Sequence, residues 1–375
     1  MSAQTPFAIK TNVEMGTYTM VNMKNSIVKS KANLHRTGRY AKLFGGMAVL
    51  AVTAAPAMAQ TADCSFFEGK TVELIVPFNA GGGFDSYSRM VANHMGSKLG
   101  AQNMIVRNQP GAGGLLATNQ TWVASAEGLL VQMMSTSGML TAELGGADGV
   151  SFESGGFSWI GRVSGEPDVI AVGPNNKITS VDDIRAISAE RKVRIGSSGI
   201  GDIDYIEAEL LTTVFDLDSN IVVGFSGAPE VYASLARGEL DLFVSSHSAG
   251  QQAQSAESAR IMWLFDSEAD PDFPDLEPIG AYLEGDDLAL VTAHGDLVAG
   301  GRALAGPPGI PAERLACLRE AFDQTMEDPA FLAESEATNR PVSPIGGAEL
   351  ADMISGLTEN APQAYVDLLR KSYQN

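Results

Sequence analysis

Glycine amides, serine hydroxyls and isolated aspartates gather at four loops of this 375-residue chain, each where an apolar run gives way to a helical pattern. The first holds Phe78, Asn79, Ala80, Gly82, Gly83, Phe84 and Asp85, and the second Ser135 and Ser137. The third holds Ser198, Gly199 and Asp202, and the fourth Phe225 and Gly227, with Ser246 at the exit of the next apolar run. Bare amides at the positive end of a helix attract carboxylate or phosphate, so the chemistry this pattern predicts is capture of a small anion. None of the four loops contains Lys or Arg. Asp85 has two readings: it caps the free amides of the helix it begins, or it also accepts a hydrogen bond from a ligand. Arg89, one turn on, is placed to pair with it.

Two other chemistries fit less well. Gly81-Gly82-Gly83 lacks the G-x-G-x-x-G spacing of dinucleotide sites, and no G-x-x-x-x-G-K-[ST] occurs. Hydrolysis would need a nucleophile elbow or a metal cluster, and neither G-x-S-x-G nor H-E-x-x-H is present. His94 falls on the apolar face of the first helix and reads as a core residue. His247 beside Ser246 keeps an exported hydrolase as the rival reading. No catalytic residue, metal ligand or cofactor is assigned.

The elements that position these loops alternate short β-rich runs with helices, which predicts an α/β fold with parallel strands and crossover helices. Val72–Val76 is the first strand, ended by Pro77. Tyr87, Met90, Val91, His94, Met95 and Leu99 follow at helical spacing, with Gly100 as the stop. Met104–Val106, Leu129–Met134, Val169–Val172, Val193–Gly196, Ile221–Val223, Leu240–Val244 and Leu288–Thr292 read as further strands. Ser135-Thr136-Ser137-Gly138 reads as a polar loop, Asp270–Pro278 as an acidic surface loop, and Pro311–Glu327 and Ala348–Leu369 as two C-terminal helices.

Residues 1–59 read as a secretory signal with an N-terminal extension: Arg36, Arg39 and Lys42 precede the apolar run Leu43–Ala55, and Ala57-Met58-Ala59 supplies an A-x-A cleavage site. Met20 and Met23 are alternative starts. Beyond Ala59 there are 18 basic and 44 acidic residues, a net of −26, which argues against nucleic acid as a partner. Cys64 and Cys317 are the two cysteines. Export to an oxidising periplasm permits a bridge between them, while two separate buried thiols are the alternative.

The motifs resemble those of a known family, the solute-receptor subunits of tripartite tricarboxylate transporters, also called Bug proteins. Val76-Pro77-Phe78, Gly81-Gly82-Gly83, Asp85 and Arg89 match its V-P-F-x-x-G-G-x-x-D-x-x-x-R signature. Asn108, Pro110, Gly111, Ala112, Gly113 and Gly114 match its N-x-P-G-A-G-G turn. Gly196–Gly201, Gly227–Glu230 with Gly238–Asp241, and Pro307–Pro311 fit later segments. The resemblance implies a type II-like periplasmic binding protein with two hinge-joined lobes, each a sheet flanked by helices, closing on a small carboxylate without a dedicated arginine. It also implies a monomer that delivers its ligand to membrane permease subunits; a sensor-linked receptor without transport is the further alternative. Lobe I is expected at residues 71–162 plus 288–375, and lobe II at 163–287. Asp202 and Asp204 depart from the family pattern. Either they cap the helix and point away, or the ligand carries an amine or hydroxyls, or a cation bridges them. Phe84 and Phe225 suggest an apolar or aromatic part.

Overall fold

Strand β1 (Thr71–Val76) buries Val72, Leu74, Ile75 and Val76, the near-continuous apolar run expected of a strand covered on both faces. In the computed structural model, which describes residues 63–200 and 202–374, β1 leads through the glycine loop into α1 (Gly83–Lys98). β2 (Asn103–Asn108), α2 (Leu115–Trp122), β3 (Leu130–Ser135), α3 (Thr136–Gly145) and β4 (Ser158–Ser164) follow. The chain then builds β5 (Asp168–Val172), α4 (Val181–Glu190), β6 (Val193–Gly196), α5 (Ile203–Val214) and β7 (Ser219–Val222). α6 (Ala228–Ala236), β8 (Leu242–Ser246), α7 (His247–Ser255) and β9 (Arg260–Leu264) complete this part. It ends with α8 (Gly285–Val298), β10 (Arg302–Gly306), α9 (Ala312–Met326), α10 (Pro329–Ala337), β11 (Ile345–Gly346), α11 (Gly347–Glu359) and α12 (Gln363–Gln374). The leader read at residues 1–59 lies outside the described residues.

The strands form two sheets flanked by helices. One has the order β11-β4-β10-β3-β1-β2 and the other β7-β6-β8-β5-β9. β1 pairs in parallel with β2 and β3, while β10 returns antiparallel between β3 and β4. In the second sheet β6 is parallel to β7 and β8, and β5 runs antiparallel between β8 and β9. The chain passes from one sheet to the other between Ser164 and Asp168 and comes back through α8 into Arg302. A continuous apolar core joins Met134, Leu140 and Trp159 to Ile170, Val172 and Leu242 by way of Val291, Leu297 and Leu369. Cys64 and Cys317 form a disulfide, with their Cα atoms 5.7 Å apart. Among the described residues no helix is long and apolar enough to cross a membrane.

Three local expectations are corrected. Leu288–Thr292 is not a strand but the middle of α8. A short apolar run of this kind does not distinguish the two states. The helix wins because Leu290, Val291, His294 and Leu297 fall on one buried face and Asp286 and Asp287 favour its positive end. Ser135–Gly138 is not a loop: β3 runs directly into α3, and Gly138 lets the first turn pack against Ser135, since a Cβ there would stand 3.1 Å from its Oγ. The segment Ala348–Leu369 is two helices, α11 and α12, separated before Gln363 by Pro362, which cannot continue the hydrogen-bond ladder.

Candidate functional site

The first loop is held by the aspartate that follows it. Asp85, only 4% exposed, accepts hydrogen bonds from the Gly81 amide (2.9 Å), Arg89 Nε (3.0 Å) and Nη2 (2.8 Å), and Asn108 Nδ2 (3.0 Å). Burial pushes the carboxyl up, but Arg89, Gly81 and Asn108 together outweigh it and hold Asp85 below the ordinary carboxylate value. Its oxygens are occupied from within the loop, so Asp85 acts here as a brace. Asn108, at the end of β2, also donates to the Phe78 carbonyl at 3.1 Å, so the second glycine motif supports the first. Gly81 takes φ +88°, a conformation glycine supplies without a Cβ penalty. Asn79, Ala80 and Gly81 are exposed, and Gly82 caps α1 without any side-chain bond to its first-turn amides. Phe78 and Phe84 pack together with ring centroids 4.7 Å apart.

Ser135 ends β3 beside this loop, and its partner in the ladder is Arg302, the first residue of β10. Sequence reasoning passed over Arg302, which comes from an element 219 positions after Gly83. Its side chain is 9% exposed, and its guanidinium donates from Nη1 to Glu166 Oε1 and lies 5.1 Å and 4.9 Å from the ring centroids of Phe84 and Tyr87. Glu166 lies in the passage between the sheets and also accepts from the Ser248 amide (2.7 Å) and Oγ (2.8 Å). This ion pair therefore joins both chain crossings to α7. Burial disfavours the charge on Arg302, but Glu166, Tyr87 and Asp168 more than offset it.

The loop in the second sheet uses the same device without a cation. Asp204, in the first turn of α5, accepts from Ser197 Oγ (3.0 Å), the Ser198 amide (2.9 Å) and Ser198 Oγ (2.7 Å). Burial raises its pKa despite those donors. The donors of Ser198 are thus spent inside the loop. Asp202 occupies the N-cap of α5 but caps nothing with its side chain. Its Oδ2 lies 3.4 Å from where a Cβ on Gly199 would stand, and burial followed by the charge of Asp204 pushes it up to about 7. Gly227, at φ +146°, precedes α6, and Phe225 packs on the cluster around Tyr232 and Phe243. Ser137 lies in the first turn of α3. Ser246 pairs with Asp168, and the ring of the next residue, His247, packs against Phe273 with centroids 4.1 Å apart and the planes tilted by 46°.

Behind the loops lies a polar group that sequence reasoning also missed. Asp168, Glu207 and His294 offer ligand atoms all within 4.8 Å of one another. His294 Nδ1 lies 2.8 Å from the Tyr365 hydroxyl and Nε2 lies 3.3 Å from Glu207 Oε1. Burial pushes Glu207 up to about 8 and His294 down to about 4, and burial with the neighbouring Glu207 raises Asp168 well above its usual value. At neutral pH the carboxyls retain a proton between them and the imidazole is uncharged. These bonds occupy both ring nitrogens of His294 from within the protein. Asp168 is half-buried at the start of β5, opposite Ser246 of β8. The signal in sequence was faint: an acidic residue on each side of Pro167, and an arginine opening an otherwise apolar strand.

Comparison with known proteins places this geometry in context. The family described as "Tripartite tricarboxylate transporter family receptor" matches residues 87–345. The chain is 25% identical over 230 residues to Protein BugT of Bordetella pertussis, covering 59% of this chain and 67% of that one. Its fold is similar to the periplasmic binding protein BugD, with TM-score 0.65 and 19% identity, covering 81% of this chain and 97% of that one. It is also similar to MatC from Rhodopseudomonas palustris with bound malate, with TM-score 0.64 and 18% identity, covering 80% and 99% of the two chains.

Proposed function

Since the chain belongs to the tripartite tricarboxylate transporter receptor family, we propose that it is an exported receptor that captures a small carboxylate between two lobes and presents it to membrane permease subunits. The observation that carries this reading is the first loop: Asp85 turns inward to hold it, leaving the first-turn amides of α1 without a side-chain cap. Lobe I, built on the first sheet, spans about residues 71–162 and 288–375, and lobe II, built on the second, about residues 163–287. Phe78, Gly82, Gly83, Ser135 and Ser137 contact the ligand from one side; Gly199, Asp202, Phe225, Gly227 and Ser246 face them. Closure is driven by binding energy and requires no covalent step. The ligand is a di- or tricarboxylate, an amino acid or an aromatic acid. The malate bound by MatC is one chemistry of this range.

A thermal-shift screen of the exported form against malate, adipate, glutamate and benzoate, with a nucleotide and a sugar as controls, tests the reading. A ligand at 100 times its Kd stabilises the native state by about 2.7 kcal/mol, well within detection. A shift with a nucleotide or sugar and with no carboxylate would overturn it.

A further inference from the structure

Arg302 uses only part of its guanidinium. Nη1 donates to Glu166, whereas Nε is buried without a partner, and no hydrogen bond reaches Nη2 from any described residue. The free edge has a direction: a Cβ built on Gly83 would stand 3.7 Å from Nη2 and 4.0 Å from Nε. It therefore faces the first residue of α1, a 16-residue helix whose N-cap, Gly82, offers no side-chain acceptor. Two electropositive groups, the guanidinium edge and the helix end, thus meet across a space that glycine leaves open. The acids nearby do not fill it. Asp85 is committed to Gly81, Arg89 and Asn108, and Glu166 takes the other side of the guanidinium and the two donors of Ser248.

Leaving a buried N–H unpaired is costly, and the Nε–Nη2 edge is the fork that matches the two oxygens of a carboxylate. The rings of Phe84 and Tyr87 beside the guanidinium restrict its rotamers, so the fork is held in place before anything binds. Resting on the receptor reading above, we propose that Arg302 is the carboxylate anchor of this site, gripping one ligand carboxylate bidentately through Nε and Nη2 against the first-turn amides of α1. Glu166 positions the guanidinium from behind. The dedicated cation that is missing from the loops is supplied by a strand that reaches them from the far end of the chain.

The test is calorimetric titration of malate, adipate, glutamate and benzoate into the wild-type protein, Arg302→Gln, the double variant Arg302→Gln with Glu166→Gln, and Gly83→Ala. The double variant removes the cation without stranding a buried Glu166 charge that could itself repel an anion. Whichever probe binds the wild type should bind about 100-fold more weakly to both Arg302 variants. Gly83→Ala suits a helix start and leaves both charges in place, yet its methyl intrudes on the space before the fork; about tenfold weaker binding is expected. Affinity within twofold of wild type in a folded double variant, judged by circular dichroism, would overturn the anchor and leave the receptor reading intact. Should that variant fail to fold, unchanged affinity in Gly83→Ala overturns the anchor by itself. If no carboxylate binds the wild type, the receptor reading fails and the anchor falls with it.

Discussion

The two glycine-serine loops are built on one plan and differ in charge balance. In each, an aspartate in the first turn of the following helix reaches back to hold a loop amide: Asp85 holds Gly81 and Asp204 holds Ser198. Asp85 has Arg89 at 2.8 Å and a lowered pKa; Asp204 has only amide and hydroxyl donors, a raised pKa, and Asp202 beside it. The same geometric solution therefore leaves one loop with a carboxylate paired to a cation and the other with a brace that has no cation beside it and a neighbour, Asp202, pushed up to about 7. A brace positions a loop whether or not it is neutralised, but only the neutralised one leaves the field in front of it favourable to an anion.

The largest difference should appear on removing the braces. Asp85→Ala strands Arg89, Asn108 and the Gly81 amide, and should lower unfolding free energy by about 2–3 kcal/mol in urea melts at pH 7. Asp204→Ala loses hydrogen bonds but relieves a raised carboxyl, so about 1 kcal/mol is expected. Equal costs would dissolve the contrast. Next in size is a pH effect. Because the folded pKa of Asp202 is raised to about 7 from 3.8, its stabilising contribution is complete below about 4 and is lost as pH rises through about 7. Glu207, raised to about 8, extends that loss, whereas His294, lowered to about 4, acts in the opposite sense as pH falls below its usual 6.5. Asp202→Asn should shrink the stability difference between pH 5 and pH 8 by about 1–2 kcal/mol, a figure reduced for partial solvation.

A smaller effect is expected on binding. For whichever carboxylate probe binds the wild type, affinity at pH 8 should rise about threefold in Asp202→Asn and stay unchanged at pH 5, where the wild-type side chain is already protonated. Calorimetry at the two pH values checks this, and an equal gain at both would mean that the charge of Asp202 is not what the ligand senses. The smallest effect belongs to Arg89→Ala, about 0.5 kcal/mol in the same urea melts, because Arg89 is 52% exposed and solvent screens the pair.

What could be read from sequence was whatever a few neighbouring residues decide. β1, its glycine loop and α1 form one contiguous signal of apolar run, glycines and helical spacing, and Arg89 could be paired with Asp85 because they lie one turn apart. Arg302 and Glu166 left no such trace: they come together because β10 returns antiparallel between β3 and β4, a register set by tertiary packing. His294 was obscured differently, since Leu288–Thr292 reads equally well as strand or buried helix until the surroundings choose. The loops were thus visible from sequence, while the Arg302–Glu166 pair depended on topology.

The Cys64–Cys317 bond joins positions 253 apart, so every strand from β1 to β10, in both sheets, lies inside one covalent ring. A protease that cuts a surface loop such as Asp270–Pro278 opens the ring without releasing a fragment. The nicked protein keeps its full mass on a non-reducing gel and separates into pieces only when thiol is added, so neither sheet can be shed from the other by a single cut.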